Sequence, residues 1–133
     1  MTPEQLDQFV TAILQECVNV LPDQFDEMWL VVEDEDGVST SALFFTDTAG
    51  PHRMLRLGDD ADDAIDDLID AAIEAGQPIH RAVLNYRSSG GASADFDYDP
   101  LPGGVVDGSD ARFDAFAREH LGRPYDEVPD HTA

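Results

Sequence analysis

Apolar positions in the first part of the chain return every three or four places: Leu6, Phe9, Val10, Ile13, Leu14, Cys17, Val18 and Leu21 form one stripe. That spacing predicts an amphipathic helix, because the helical period brings these positions to one side. Thr2, Pro3 and Gln5 supply a cap, a first-turn proline and the reciprocal capping-box residue, and Pro22 ends the helix. The period then changes. Met28 to Glu35 reads as a strand whose middle, Trp29-Leu30-Val31-Val32, is apolar on both faces. Asp36-Gly37 is a hairpin signal leading into a second strand, Val38 to Thr46. A short third strand, His52 to Leu57, follows the Ala49-Gly50-Pro51 turn.

Helical spacing returns from Asp59 to Ala75, with Ile65, Leu68, Ile69 and Ala72 as the inward stripe and Gly76 and Pro78 closing it. Ile79 to Arg87 predicts a fourth strand, Ser88 to Ser93 a glycine-containing connection, and Ala94 to Tyr98 a fifth strand. Pro100 to Gly108 reads as a loop. The last helix is expected from Ser109, its cap, to Leu121, with Phe113, Phe116, Ala117 and Leu121 inward. The order α-β-β-β-α-β-β-α predicts an α+β fold, an antiparallel sheet packed by helices. No repeat or linker divides the chain, so residues 1–122 are expected to form one domain and residues 123–133 a polar tail.

A length of 133 residues suits a single core. No apolar run approaches the roughly 18 residues of a membrane span. The opening Met1-Thr2-Pro3-Glu4-Gln5 has no basic region leading into an apolar stretch, so the expected location is the cytoplasm. Cys17, the single cysteine, has no internal disulfide partner and falls in the inward stripe, where a structural thiol is expected.

Charge changes the picture most. The formal net charge is −22, and all seven basic residues are arginine. Such a field repels phosphate backbones and anionic lipid, so neither nucleic-acid nor membrane binding is expected. A basic protein partner is the natural complement. Acidity serving solubility in high salt, as in halophiles, is the other explanation that composition allows.

The acid is also patterned. Asp59, Asp60, Asp62, Asp63, Asp66, Asp67, Asp70 and Glu74 share one face of the second helix, with no basic residue among them. Like-charge pairs one turn apart each cost about 0.2–0.5 kcal/mol, and only the first turn gains from the helix dipole. Folding does not ask for this face, so Asp60, Asp63, Asp67, Asp70 and Glu74 are candidate contacts for a basic partner. In the fifth strand, Asp95, Asp97 and Asp99 alternate with Ala94, Phe96 and Tyr98, which puts three carboxylates about 6.6–7 Å apart on one side. Glu33 and Glu35, beside the Asp36-Gly37 turn, complete the candidate set. Asp95-x-Asp97-x-Asp99 imitates the opening of a calcium loop, but Pro100 stands where glycine is needed and Val106 where the bidentate glutamate belongs.

Catalytic patterns are missing. His52, His80, His120 and His131 lack a second ligand at metal-site spacing, and Gly90-Gly91 and Gly103-Gly104 lack the lysine of a phosphate-binding loop. No two carboxylates stand out as an acid/base pair with unlike surroundings. The expectation is a binding protein without cofactor or metal, not an enzyme.

Taken in order, Trp29, the Asp36-Gly37 hairpin, Phe44-Phe45 and Phe96-Asp97-Tyr98-Asp99 give a pattern that resembles the YezG-like immunity proteins, the antitoxins of bacterial polymorphic toxins. The likeness runs from Leu6 to about Gly122, with Phe116 where an aromatic is common. It implies an immunity protein that neutralises a cognate toxin domain, often a nuclease with an arginine- and lysine-lined active site. Class I chaperones of type III secretion are similar acidic proteins with this element order, and they bind effector segments, usually as dimers. Monomer and homodimer both fit the sequence.

Overall fold

The Asp36-Gly37 turn sets the register of the sheet. Both residues adopt positive φ, 54° and 78°, the backbone of a two-residue hairpin whose twist matches its strands. It joins β1 (Glu27–Glu35) to β2 (Val38–Asp47) antiparallel, with Leu30 opposite Leu43 and Glu33 opposite Thr40. The computed structural model describes residues 1–122 and 125–128. The further strands are β3 (Gly50–Met54), β4 (Arg81–Arg87), β5 (Ala92–Asp97) and β6 (Asp126–Val128), in the sheet order β5-β4-β1-β2-β3-β6. Only β3 and β6 pair in parallel, so this is an α+β fold with a mostly antiparallel sheet.

β1 lies at the centre of the sheet with helices packed on both faces, which is why its middle is apolar without alternation. Met28, Leu30 and Val32 join Leu43, Phe45, Ala82 and Leu84 under α1 (Pro3–Val20) and α2 (Asp59–Glu74). Val31, Ala42 and Phe44 face the opposite way, onto Phe113, Phe116 and Ala117 of α3 (Gly104–Leu121). Two helices therefore cover one side of the sheet and one helix the other. Arg53 of β3 reaches over the Phe44 and Phe113 rings, 5.7 Å from each centroid.

Helix α1 begins as its capping box requires: the Gln5 N–H donates to Thr2 Oγ1 at 3.1 Å and the Thr2 N–H to Gln5 Oε1 at 2.9 Å. Strand limits shift slightly from the sequence expectation. β3 starts at Gly50 and stops at Met54, leaving Leu57 buried in the loop before α2; β4 starts at Arg81, and β5 runs from Ala92 to Asp97.

The start of α3 is the larger correction. It begins at Gly104, inside the expected Pro100 to Gly108 loop, and Ser109 is a buried residue of the helix, not its cap. Leu101 and Val105 are buried beneath this first stretch and anchor it. Asp126–Val128, expected within a polar tail, forms β6 on the edge of β3, and Tyr125 just before it donates to Asp114 of α3 at 3.0 Å. The remaining tail positions, 123, 124 and 129–133, fall outside the described residues. Among the described residues no helix is long and apolar enough to cross a membrane.

Candidate partner-binding surface

Helix α2 is amphipathic in the strict sense that its two faces differ in every residue that matters. Ala61, Ile65, Leu68, Ile69 and Ala72 are buried against the sheet and α1, so the helical period leaves all eight carboxylates, from Asp59 to Glu74, exposed. None of them takes part in an ion pair among the described residues. The helix is capped by Gly58, φ 92°, with no side-chain cap bond, so the acids of the first turn gain only from the partial positive charge of the helix N-terminus. Beyond that turn the carboxylates repel one another unrelieved.

This repulsion shows in their acidity. Asp62 is held above its ordinary value of 3.8 by partial burial and then by Asp66, Asp59 and Asp63. Asp66 is raised in the same way by burial, then by Asp70, Asp63, Asp67 and Asp34. Asp34 contributes from β1, where it is buried and accepts a hydrogen bond from the Ser39 hydroxyl. A cation brought to this face would relieve an existing strain.

Grooves flank α2 on both sides. Toward β2, a groove of about 490 Å³ is lined by Ser39 and Ser41, Arg56, and Asp59, Asp62 and Asp66. Toward α1, a hollow of about 390 Å³ lies beside Asp59 and Asp60, and another of about 410 Å³ beside Glu74. The sequence-derived residues Asp60, Asp63, Asp67, Asp70 and Glu74 thus form one continuous exposed surface with relief on either side.

The other candidates do not join it. Asp95 and Asp97 lie on the opposite side of the sheet, since they pair with Val83 and Arg81, whose neighbours Val31 and Glu33 face α3. Asp99 lies beyond the end of β5, where its N–H donates to the Asp97 carboxylate at 2.9 Å. The fifth-strand carboxylates and the α2 face are therefore two surfaces, not one.

Glu33 is a correction. Its side chain is fully buried and unable to meet a partner. It accepts from the Ser109 hydroxyl at 2.5 Å and from Arg112 Nε at 2.9 Å, and forms ion pairs with Arg112 Nη2 at 2.7 Å and Arg81 at 3.9 Å. The same Arg112 guanidinium donates to the carbonyls of Pro102 and Gly104, at 2.5 and 2.7 Å, so one arginine ties the α3 N-terminus to the centre of the sheet. Glu33 in turn holds the Arg112 guanidinium in its charged form, raising its pKa further. Gly108 makes room for it, because a Cβ there would clash with Arg112 Nη1 and the Pro102 carbonyl. Glu35 is half-buried and accepts the Leu101 N–H at 2.7 Å. The carboxylates near the hairpin serve the fold.

Sequence reasoning missed Ser109 and Arg112 as partners of Glu33. One signal was present: Leu101, Val105, Ser109 and Phe113 repeat every four residues, which carries the last helix backward through the glycines. Elsewhere, burial pushes the Cys17 thiol up to about 12, with Glu16 and Asp62 adding to it, as suits an unreactive core residue. Among the described residues no three His, Cys, Asp or Glu side chains are grouped to hold a metal ion. No protein-family model matches the chain, and no curated protein matches its sequence.

Proposed function

We propose that this protein is an immunity factor, an antitoxin that binds and neutralises a cognate toxin domain through the acidic face of α2. The observation that carries the reading is the unpaired row from Asp59 to Glu74, a surface whose repulsion weakens the fold that displays it. Surfaces that disfavour folding yet gain on meeting a cation suit association with a basic partner, where complementary charge speeds encounter and sets orientation. The resemblance to YezG-like immunity proteins supplies the partner class, a toxin domain such as a nuclease with a basic active site. Action is by occlusion, without chemistry, cofactor or nucleic-acid contact of its own.

The experiment is co-expression with the toxin domain encoded beside the gene. A one-to-one complex and loss of toxin activity at equimolar ratio are expected. A neighbouring toxin left fully active by the purified protein would overturn the reading. A stable homodimer that captures an unfolded effector segment would replace it with a secretion-chaperone role.

A further inference from the structure

Helix α3 lies on β1 and β2 and leaves the same side of β4 and β5 open. At the boundary is a groove of about 310 Å³, lined by Glu27, Trp29, Val83, Asn85, Arg87, Asp95 and His120. Trp29 is only half-buried, and His120 stacks on Phe116 at 4.0 Å and lies 6.3 Å from the indole, so the α3 wall of the groove is aromatic. The floor is Val83. The opposite wall is β5, an edge strand, carrying Asp95.

Charge within this groove is not balanced. Glu27 is already engaged, accepting from Asn85 at 2.9 Å and from Arg87 at 3.2 Å. Asp95 is exposed and has no basic partner among the described residues. An aromatic wall and an unpaired carboxylate on either side of Val83 and Asn85 match a planar cation on an apolar stem. A guanidinium stacks on an indole and bonds a carboxylate with two N–H groups, whereas an ammonium does neither as well.

We propose that this groove receives an arginine side chain of the basic partner, its stem over Val83 and its guanidinium between Trp29 and Asp95. The proposal deepens the binding role given above and rests on it, adding a second contact on the other side of the sheet from α2.

Trp29 is the single tryptophan, so its fluorescence reports the groove directly. The full chain would be titrated with an oligoarginine peptide free of aromatic residues, following Trp29 emission and, in parallel, heat of binding. A saturable change in emission is expected, weakened about three- to tenfold by Asp95→Asn and abolished by Asp95→Arg, which fills the groove from within. Asp67→Asn with Asp70→Asn should leave the emission change in place. Heat of binding with unmoved Trp29 emission, or an unaltered titration in Asp95→Arg, overturns the groove while leaving the acidic-binder reading intact. An oligolysine peptide that shifts the emission equally well overturns the assignment to arginine. Neither heat nor emission change in the parent protein counts against both. Asp95 is exposed on an edge strand, so both variants are expected to keep the parent melting temperature, which the same samples report.

Discussion

Replacing Arg112 by alanine should test how α3 is held to the sheet. The native carboxylate of Glu33 receives the Arg112 Nε–H, shared between its two oxygens, an Nη2 ion-pair contact at 2.7 Å and a hydrogen bond from Ser109, in a site with no solvent exposure. Removing the guanidinium leaves a buried anion with the Ser109 hydroxyl and an arginine, Arg81, still 3.9 Å away. Breaking a buried pair in this way costs about 3–5 kcal/mol. Arg81 is about a quarter exposed and able to close on Glu33, which favours the lower end of that range. The carbonyls of Pro102 and Gly104 also lose a donor, so the first turn of α3 should loosen along with it. For a chain of 133 residues, about 3 kcal/mol corresponds to a drop in melting temperature of roughly 10–15 °C. Urea unfolding followed by Trp29 fluorescence gives the free energy, and hydrogen exchange at residues 104–109 gives the local effect. A compensating pair, Glu33→Met with Arg112→Met, should recover much of the loss because no charge is then stranded. A loss below about 1 kcal/mol for Arg112→Ala would refute the argument that this buried pair holds α3 to the sheet.

On the opposite side, Asp67→Asn with Asp70→Asn should leave stability unchanged or raise it by a few tenths of a kcal/mol, because the 63/67, 66/70 and 70/74 repulsions are reduced. Toxin association measured by stopped flow at two salt concentrations should be slower and less salt-dependent, and an unchanged rate would show the α2 face to be merely solvated. Asp62 and Asp66 have native pKa values above the ordinary 3.8, so the stability they contribute is full below that value and is lost as pH rises through their raised values. A cationic partner favours their ionised forms, so affinity should rise with pH across the same window, with protons released on binding; calorimetry in two buffers of unlike ionisation enthalpy measures the release, and proton uptake would contradict it. If the acidity served salt adaptation alone, melting temperature would fall steeply as salt is lowered; a directed surface predicts a shallow dependence from about 0.02 to 1 M, over which the Debye length shortens from about 20 Å to about 3 Å.

Legibility in the sequence followed the range of the interactions. Helix α1, the β1–β2 hairpin and the inward stripe of α2 were readable because caps, the Asp36-Gly37 turn and helical periodicity act within a few residues. The start of α3 was not, because Pro102-Gly103-Gly104 signals a break locally while Arg112 and the buried Leu101 and Val105 hold the segment in place. Strand β6 is three residues, Asp126-Glu127-Val128, whose pairing with β3 has no periodic signature. The burial of Glu33 depends on partners 76 and 79 residues away, so its role as a buried anchor was invisible to any local pattern. The α2 face was legible from its spacing alone, but its separation from Asp95 and Asp97 required the strand order.

That separation bears on how the charge arose. The arginines are not distributed with the acid: α1 and α2 contain none, although α1 adds Glu4, Asp7 and Glu16 to the carboxylates of α2. Arg53, Arg81, Arg87 and Arg112 lie on the α3 side of the sheet, over Phe44 and Phe113 or beside Glu33 and Glu27. Arg56, which lines the groove beside Asp59, Asp62 and Asp66, is the exception, and a uniform pressure toward acidity gives no reason for these four cations to gather on the α3 side. The result is a molecule with a predominantly anionic layer on one side of the sheet and a partly neutralised one on the other, which orients an approaching cationic surface toward α1 and α2 before any contact forms. Because Asp95 lies across the sheet from that layer, a partner that reaches the Trp29 groove as well has to pass around the β5 edge. An extended basic segment meets this requirement, while a flat rigid surface reaches only one side.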